Sequence, residues 1–418
     1  MAKAVVILGA AYSGVPVAHY LLKHTAAKVK GELKVVLVSP NSDFYWSFYL
    51  IVSGGTSSDL LGHANVVPEW KLVADIDHQH NAAVRGILPG QIPDDKLFYP
   101  IVPSFSKYPA EQFDFVLGKA QAVDPISNLV TVRKNDGFEE TIKYDELVIA
   151  TGSSYSDGVP FKDMNTTEET KAALNTWRKR IDAAKSIVIA GGGATGVEVA
   201  AEFGEEYASR KLKEVTYIVA SELPLGPVIM PDVRETVKKE LERLKVKVLY
   251  NTKVSSTKQA KGKTIVELDG GKTTLEADLF IPLLGTTPNT SFLPRDMLDD
   301  AGFVKQTASL LVDGQKDIYV IGDAGNLEDS RGYLADLQVQ HLAKVLDAKL
   351  SRGPDPGEYK VDPKMAFGLS LGKSRGTGQM GTWKVWSLII WWFKSRHLGI
   401  PMAQAYADGL RTVVAEKW

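Results

Sequence analysis

The stretch SIVIAGGGATGVEVAAE, Ser186 to Glu202, constrains the fold more than any other part of the chain. It opens with the β-branched run Ile187 to Ala190 and turns at Gly191, Gly193 and Gly196. It continues with Val197, Val199, Ala200, Ala201 and Phe203 in a helical pattern. Strand, glycine turn and helix in that order form the unit that binds a dinucleotide. Gly191 permits the tight turn, Gly193 lets the backbone approach a pyrophosphate, and Gly196 lets the helix pack on the strand. Amides exposed at the helix start then meet the phosphate charge. A second copy stands at the N-terminus, with Ala4 to Leu8 as strand, Gly9 to Gly14 as turn and Val15 to Lys23 as helix. There Ala11 replaces the middle glycine, and its methyl narrows the approach. The next strand, Leu33 to Val38, ends at Ser39, where such sites normally carry an acid for the ribose. A serine can hydrogen-bond a ribose hydroxyl, but more weakly.

Two such units fit within 418 residues, and 44% hydrophobic with 24% charged residues is an ordinary globular composition. The formal charge of −1 and the lack of a long basic block argue against nucleic acid as a partner. The absence of cysteine excludes disulfides, thiolate metal sites and any redox-active dithiol; no metal is expected. No signal peptide is expected, and Ala2 does not support N-myristoylation. The longest apolar run, Leu388 to Phe393, is far below the roughly 20 residues of a membrane-spanning helix.

Further along the chain, Phe113 to Leu117 and Leu129 to Val132 suggest a small meander. Leu147 to Ala150 reads as a buried strand ending in Thr151 and Gly152. Thr166 and Glu169 form a capping box ahead of a helix with Leu174, Trp177 and Ile181 on one face. Strands follow at Val215 to Val219, Val246 to Leu249, Thr264 to Leu268, Ala277 to Leu284 and Ile318 to Ile321. Helices are expected from Pro231 and over about 334–350. The fold class is α/β, with two doubly wound, Rossmann-like nucleotide-binding domains, one inserted in the other, and a small C-terminal α+β region.

Two dinucleotide sites in one chain suit a flavin and a nicotinamide held face to face, with reacting atoms about 3–3.5 Å apart. YDELVIATGS (Tyr144 to Ser153), GGGATGVE (Gly191 to Glu198), LGTTPN (Leu284 to Asn289) and VIGDA (Val320 to Ala324) stand in the order found in two-dinucleotide flavoprotein oxidoreductases. Within that superfamily the chain resembles the apoptosis-inducing-factor-like group, and the likeness extends to MAFGLSLGKSRGTGQMG at Met365 to Gly381. The resemblance implies an FAD domain at 1–165 and 298–350, an NAD(P)H domain at 166–297 and a C-terminal region at 351–418. It implies that Gly9, Ala11, Gly14, Ser39, Arg85, Thr151, Gly152, Gly322 and Asp323 serve FAD. Gly191, Gly193, Gly196, Glu222 and Gly285 would then serve NADH or NADPH. Glu198 is favoured by the helix dipole in any case; the resemblance puts it near the nicotinamide and flavin as a catalytic residue. Glu202, one turn later, reads as structural. Glu222, just past the end of its strand, leans the choice towards NADH, since no arginine lies nearby in sequence.

With thiol chemistry closed, the acceptor must reach the flavin directly, and a flat apolar quinone does so. Type II NADH dehydrogenases carry a glutamine-bearing helix by flavin and quinone, and Gln338, with Gln340 and His341, stands at a comparable place. Lys373 and Arg375, in a glycine-rich loop, are candidates for the acceptor entrance, Lys373 as a second catalytic residue. Trp383 to Phe393 reads as a helix apolar on nearly every side, followed by Lys394, Arg396 and His397. Tryptophan beside cations suits a membrane surface, and burial or a homodimer are the alternatives. The expected location is cytoplasmic, with peripheral membrane attachment as the alternative.

Residues 47–80 lack any folding pattern and are extra by the resemblance, which joins Phe44–Trp46 almost directly to Asn81–Gly86. Two readings stand, an active-site lid and an intron translated in frame; sequencing the transcript separates them. Three functions are compatible with the whole: an FAD-dependent NAD(P)H:quinone oxidoreductase, a redox-responsive binding protein whose charge-transfer complex changes its partners, and a reductase of a protein acceptor.

Overall fold

The computed structural model describes residues 2–30, 32–47, 82–155, 158–328, 332–361 and 366–418. The irregular stretch flagged in the sequence thus lies, apart from Ser47, outside the described residues.

Two sheets, one mixed and one wholly parallel, carry the two glycine turns. The larger has seven strands in the order Ile318–Val320, Glu146–Ile149, Lys3–Leu8, Leu33–Ser39, Phe113–Asp124, Leu129–Lys134, Glu139–Lys143. Its first five strands are parallel, with Leu8 opposite Val38 and Ile149. Val5 to Leu8 is buried on both faces, which is why it reads as a continuous apolar run. Phe113–Asp124 serves two roles. Its first half pairs in parallel with Leu33–Ser39; the second, past an irregularity between Ala120 and Ala122, starts the antiparallel meander. The smaller sheet runs Lys247–Leu249, Glu214–Ile218, Ser186–Ala190, Leu279–Pro282, all parallel.

Three local expectations change. The strand expected over Ala277 to Leu284 is two strands, Thr273–Ala277 and Leu279–Pro282. Asp278 makes the break: its carboxylate accepts from the Lys185 and Ser186 amides, both at 2.9 Å. Thr166 does cap its helix, accepting from the Glu169 amide at 3.1 Å, but the Glu169 carboxylate accepts from the Asn165 side chain at 3.0 Å. The single helix expected over Trp383 to Phe393 is a strand, Trp383–Val385, then a short helix, Ser387–Ile390, then a wide turn, Trp391–Ser395. The free edge of the Ala366–Leu371/Arg375–Met380 hairpin captures Trp383–Val385, so helix cannot begin until Ser387.

The C-terminal segment closes back on the first glycine turn. Tyr406 donates to the Tyr12 carbonyl at 2.6 Å, and the Trp418 indole donates to the Pro16 carbonyl at 2.8 Å. Buried Asp336 accepts from Thr412 Oγ1 and the Val413 and Val414 amides. His19 completes this seam. It is fully buried, stacks on Phe105 with ring centroids 3.9 Å apart, and its Nε2 donates to the Ala407 carbonyl at 2.9 Å. Burial, reinforced by Lys107, pushes its pKa down to about 3. The unfolded chain therefore binds a proton below pH 6.5 that the folded chain refuses until about pH 3. Stability is expected to fall on acidification through that window, by up to about 1.4 kcal/mol per pH unit from this residue. Melting temperatures from pH 7 to 5 should fall more steeply for the wild type than for His19→Gln; parallel slopes would remove His19 from the account.

Among the described residues no helix is long and apolar enough to cross a membrane, and no group of three or more His, Cys, Asp or Glu side chains could hold a metal ion.

Candidate functional site

The two glycine turns are built alike. Gly9 has φ +107°, and a Cβ there would lie 2.3 Å from the Ala150 carbonyl oxygen. Gly191 has φ +133°, and its Cβ would lie 2.1 Å from that of Leu283. In each turn the last glycine faces the first: a Cβ on Gly14 would sit 1.8 Å from Gly9 O, and one on Gly196 1.9 Å from Gly191 O. These four glycines are demanded by the fold itself. Gly193 differs. Its φ is −76°, open to any residue, and a Cβ would meet nothing within 4 Å. The fold does not need glycine there, whereas a pyrophosphate lying on the turn does.

A short two-stranded crossing joins the sheets at the chain ends that face these turns. Ser153–Tyr155 pairs with Thr286–Pro288. Asn289 latches it: its side chain donates to the Thr151 carbonyl at 2.9 Å, its amide donates to the Gly152 carbonyl at 2.9 Å, and its carbonyl accepts from Thr151 Oγ1 at 2.8 Å. Gly152 at φ +65° and Gly285 at φ +132° allow the two reversals. Tyr155 extends from the crossing and donates to Thr195 Oγ1, 3.1 Å away, in the first turn of the Ala194–Phe203 helix.

Beside the first turn, Gly322 has φ +72°, and its amide donates to Gln338 Oε1 at 3.0 Å. Gln338 is thus a buried brace behind the Gly322–Asp323 turn, and its Nε2 is held by Glu328 at 2.8 Å. Gln340 and His341 engage Asp336 and the Gly357 carbonyl. Asp323 accepts from Lys162 at 2.5 Å and from Ser153 at 2.9 Å. Burial opposes its ionisation, but Lys162 outweighs that and holds the carboxyl below its usual range. Sequence reasoning missed Lys162, since one lysine in an irregular loop carries no pattern. Ser39 is buried and accepts from the Asn41 amide at 3.1 Å.

On the nucleotide helix, Glu198 and Glu202 are both fully buried, and each meets a cation from elsewhere in the chain. Glu202 takes a bidentate pair from Arg85, at 2.6 and 2.9 Å, and Arg85 also donates to the Ser395 carbonyl at 2.8 Å. Arg85, expected at FAD, is committed to these protein partners. Burial raises the Glu202 pKa and the Arg85 charge opposes the rise. Glu198 Oε1 lies 2.8 Å from Lys394 Nζ and accepts from the Ser370 amide at 3.1 Å. Glu198 Oε2 and Ser370 Oγ are buried with no hydrogen-bond partner. Lys394, which the sequence placed with the cations of a membrane surface, is an interior residue that also donates to the Gly368 carbonyl at 2.7 Å. The structure does not bring Lys373 to Glu198: its side chain reaches Gln91 and Glu206, and its amide donates to Glu205.

Past the end of Glu214–Ile218, Glu222 is exposed. The loop after it is fastened to the second turn by the Leu225 amide, which donates to the Gly192 carbonyl at 2.7 Å. Arg234 is brought to this loop from the next helix and donates to the Leu223 and Pro224 carbonyls, at 3.1 and 3.0 Å.

Residues 3–339 match the pyridine nucleotide-disulphide oxidoreductase family. The chain belongs to that family. It is 35% identical to the oxidoreductase ptaL of Pestalotiopsis fici over 388 residues, 92% of this chain and 93% of that one. It is 29% identical to ferroptosis suppressor protein 1 of Taeniopygia guttata over 364 residues, 82% of this chain and 91% of that one. The sulfide:quinone oxidoreductase of Aquifex aeolicus shares its fold, with a TM-score of 0.70 at 16% identity, covering 98% of this chain and 92% of that one. The protein is a flavin-dependent NAD(P)H oxidoreductase whose cofactors are FAD and NADH or NADPH. The two turns, the free space at Gly193 and Asp323 at the mouth of the larger sheet fit those groups. The family's name refers to a disulphide, yet this chain has no cysteine with which to form one.

Proposed function

We propose that this chain oxidises NADH through FAD and delivers the electrons to a quinone, with Glu198 and Lys394 managing the proton that the quinone takes up. The observation that carries this reading is the fully buried Glu198–Lys394 pair on the helix that leaves the nucleotide turn, with one carboxylate oxygen unpartnered. Bound FAD supplies the two-electron relay between nicotinamide and acceptor.

The first turn, Thr151, Gly152 and Asp323 would hold the flavin nucleotide; the second turn and Gly285 would hold NADH. The exposed Glu222 carboxylate repels a 2′-phosphate. Arg234, engaged with two loop carbonyls, offers such a phosphate little in return. Reducing a quinone to its hydroquinone takes two electrons and two protons. One proton arrives with the hydride and the other comes from solvent, and Lys394 is the donor that can hand it to the quinone oxygen. Glu198, 2.8 Å from its ammonium, holds Lys394 in place. Ser370, with a free hydroxyl beside the pair, can relay the proton through a water.

The reading extends to where the quinone is met. Trp383, Trp386, Leu388 and Trp392 are exposed together, with Arg396 stacked 4.4 Å from the Trp392 ring. Amphipathic aromatics beside a cation suit a bilayer interface, where apolar quinones reside. The purified protein is expected to be yellow, to bleach with NADH at a kcat/KM at least tenfold above that with NADPH, and to turn over with short-chain quinones. It should also sediment with phospholipid vesicles. Bleaching without turnover would favour the redox-responsive binding protein, and turnover only with an iron–sulfur protein would favour the protein-acceptor reductase. A colourless protein that FAD does not reconstitute would end all three.

A further inference from the structure

The geometry points to Asn41, not Ser39, as the residue that receives the adenosine ribose of FAD. The inference rests on the FAD cofactor and on no choice of acceptor.

The Leu33–Ser39 strand runs parallel to Lys3–Leu8, and the Gly9 amide donates to the Val38 carbonyl at 2.8 Å. The end of this strand is therefore level with the first glycine turn, where the ribose of a dinucleotide falls. Ser39, the residue expected to take it, faces inward. It is 3% exposed, and its Oγ accepts from the Asn41 amide, so its role is to shape the turn that follows.

That turn is fixed without any help from the Asn41 side chain. The Pro40 carbonyl accepts from Asn135 at 2.9 Å, the Ser42 carbonyl accepts from the Ile101 amide at 3.0 Å, and the Asp43 amide donates to Thr167 Oγ1 at 3.1 Å. Asn41 sits at the centre of these ties and is 8% exposed, yet its Oδ1 is buried with no hydrogen-bond partner. Buried side-chain acceptors nearly always have a donor, so an orphan in so firmly held a turn calls for a reason. A ribose hydroxyl supplies the missing donor. The amide also explains how the site works without the usual acid: it accepts from the hydroxyl while adding no negative charge beside the two phosphates.

This role opposes apo stability, and that separates it from a structural one. In Asn41→Ala the orphan acceptor is gone. The melting temperature of the apo protein is expected to stay level or rise, while FAD titrated into the apo protein, followed by flavin fluorescence, binds about five- to tenfold more weakly. In Asn41→Asp the acceptor returns as a buried carboxylate. FAD affinity is expected within about threefold of wild type, the apo melting temperature falls, and the upward shift on adding FAD stays close to that of wild type. An Asn41→Ala protein that binds FAD as tightly as wild type would overturn the assignment. So would one whose apo melting temperature falls while both variants lose FAD affinity equally. Failure of wild-type apo protein to take up FAD would instead count against the cofactor itself.

Discussion

Gly193→Ala is expected to raise the KM for NADH by about ten- to a hundredfold while the protein remains folded, and Gly191→Ala, two residues earlier, is expected to fail as a fold. The two glycines look alike in sequence and differ in what surrounds them. At Gly191 a methyl would lie 2.1 Å from the Leu283 carbonyl oxygen, on a residue with φ +133°. Backbone cannot yield that far, and an L residue resists that φ, so the cost is about 3 kcal/mol or more and soluble protein should be scarce. At Gly193 the added methyl meets no protein atom within 4 Å, and φ −76° accepts alanine. The loss there is that of a weaker N-cap residue, under about 1 kcal/mol. The methyl instead points at whatever lies on the turn. Crowding a close-packed contact by one carbon costs about 1.4–2.8 kcal/mol, within the usual span for overpacking, which is about ten- to a hundredfold in affinity. Melting temperature and NADH titration of the flavin absorbance test both halves. Normal NADH affinity in Gly193→Ala, or equal loss of stability in both variants, would show that the second turn is only a turn.

The contrast also marks what sequence can and cannot reveal. Strand, glycine turn and helix are local, so both turns and the central strands were legible from periodicity and glycine spacing. The breaks were not, because each depends on a distant partner. Asp278 divides a strand only because Ser186 pairs beside it, and Trp383–Val385 is a strand only because a hairpin edge lies open to it. The same division runs through the site. Residues fixed by the turn, such as Gly9, Gly14 and Gly196, could be named from spacing. Lys162, Lys394 and Asn41 could not, since each acquires its meaning from a partner far along the chain or from an atom left without one. An arginine for the loop after Glu222 was invisible for the same reason: Arg234 reaches it from one helix further on.

Lys394→Met is expected to cost about 3–5 kcal/mol of stability, because it leaves the Glu198 carboxylate buried with no counter-ion. Glu198→Gln alone does comparable damage by stranding the ammonium. The double variant, Glu198→Gln with Lys394→Met, removes both charges and should recover most of the loss, as buried pairs replaced together generally do. Stability and chemistry then part company. If the pair serves only to join the Ala194–Phe203 helix to the C-terminal hairpin, the double variant should turn over normally. If Lys394 delivers the quinone's proton, NADH should still bleach the flavin at near the wild-type rate, while recovery of the colour by quinone slows about a hundredfold, within the range general acid catalysis contributes. Glu202→Gln, one helical turn away, is the matched control. It strands Arg85 in an equally buried pair and should cost similar stability, yet leave the quinone-dependent step intact. A double variant that is both stable and fully active with quinone would assign Glu198 and Lys394 to the architecture alone. A quinone step equally slow in Glu202→Gln would mean that loosening this helix, not loss of a proton donor, sets the rate.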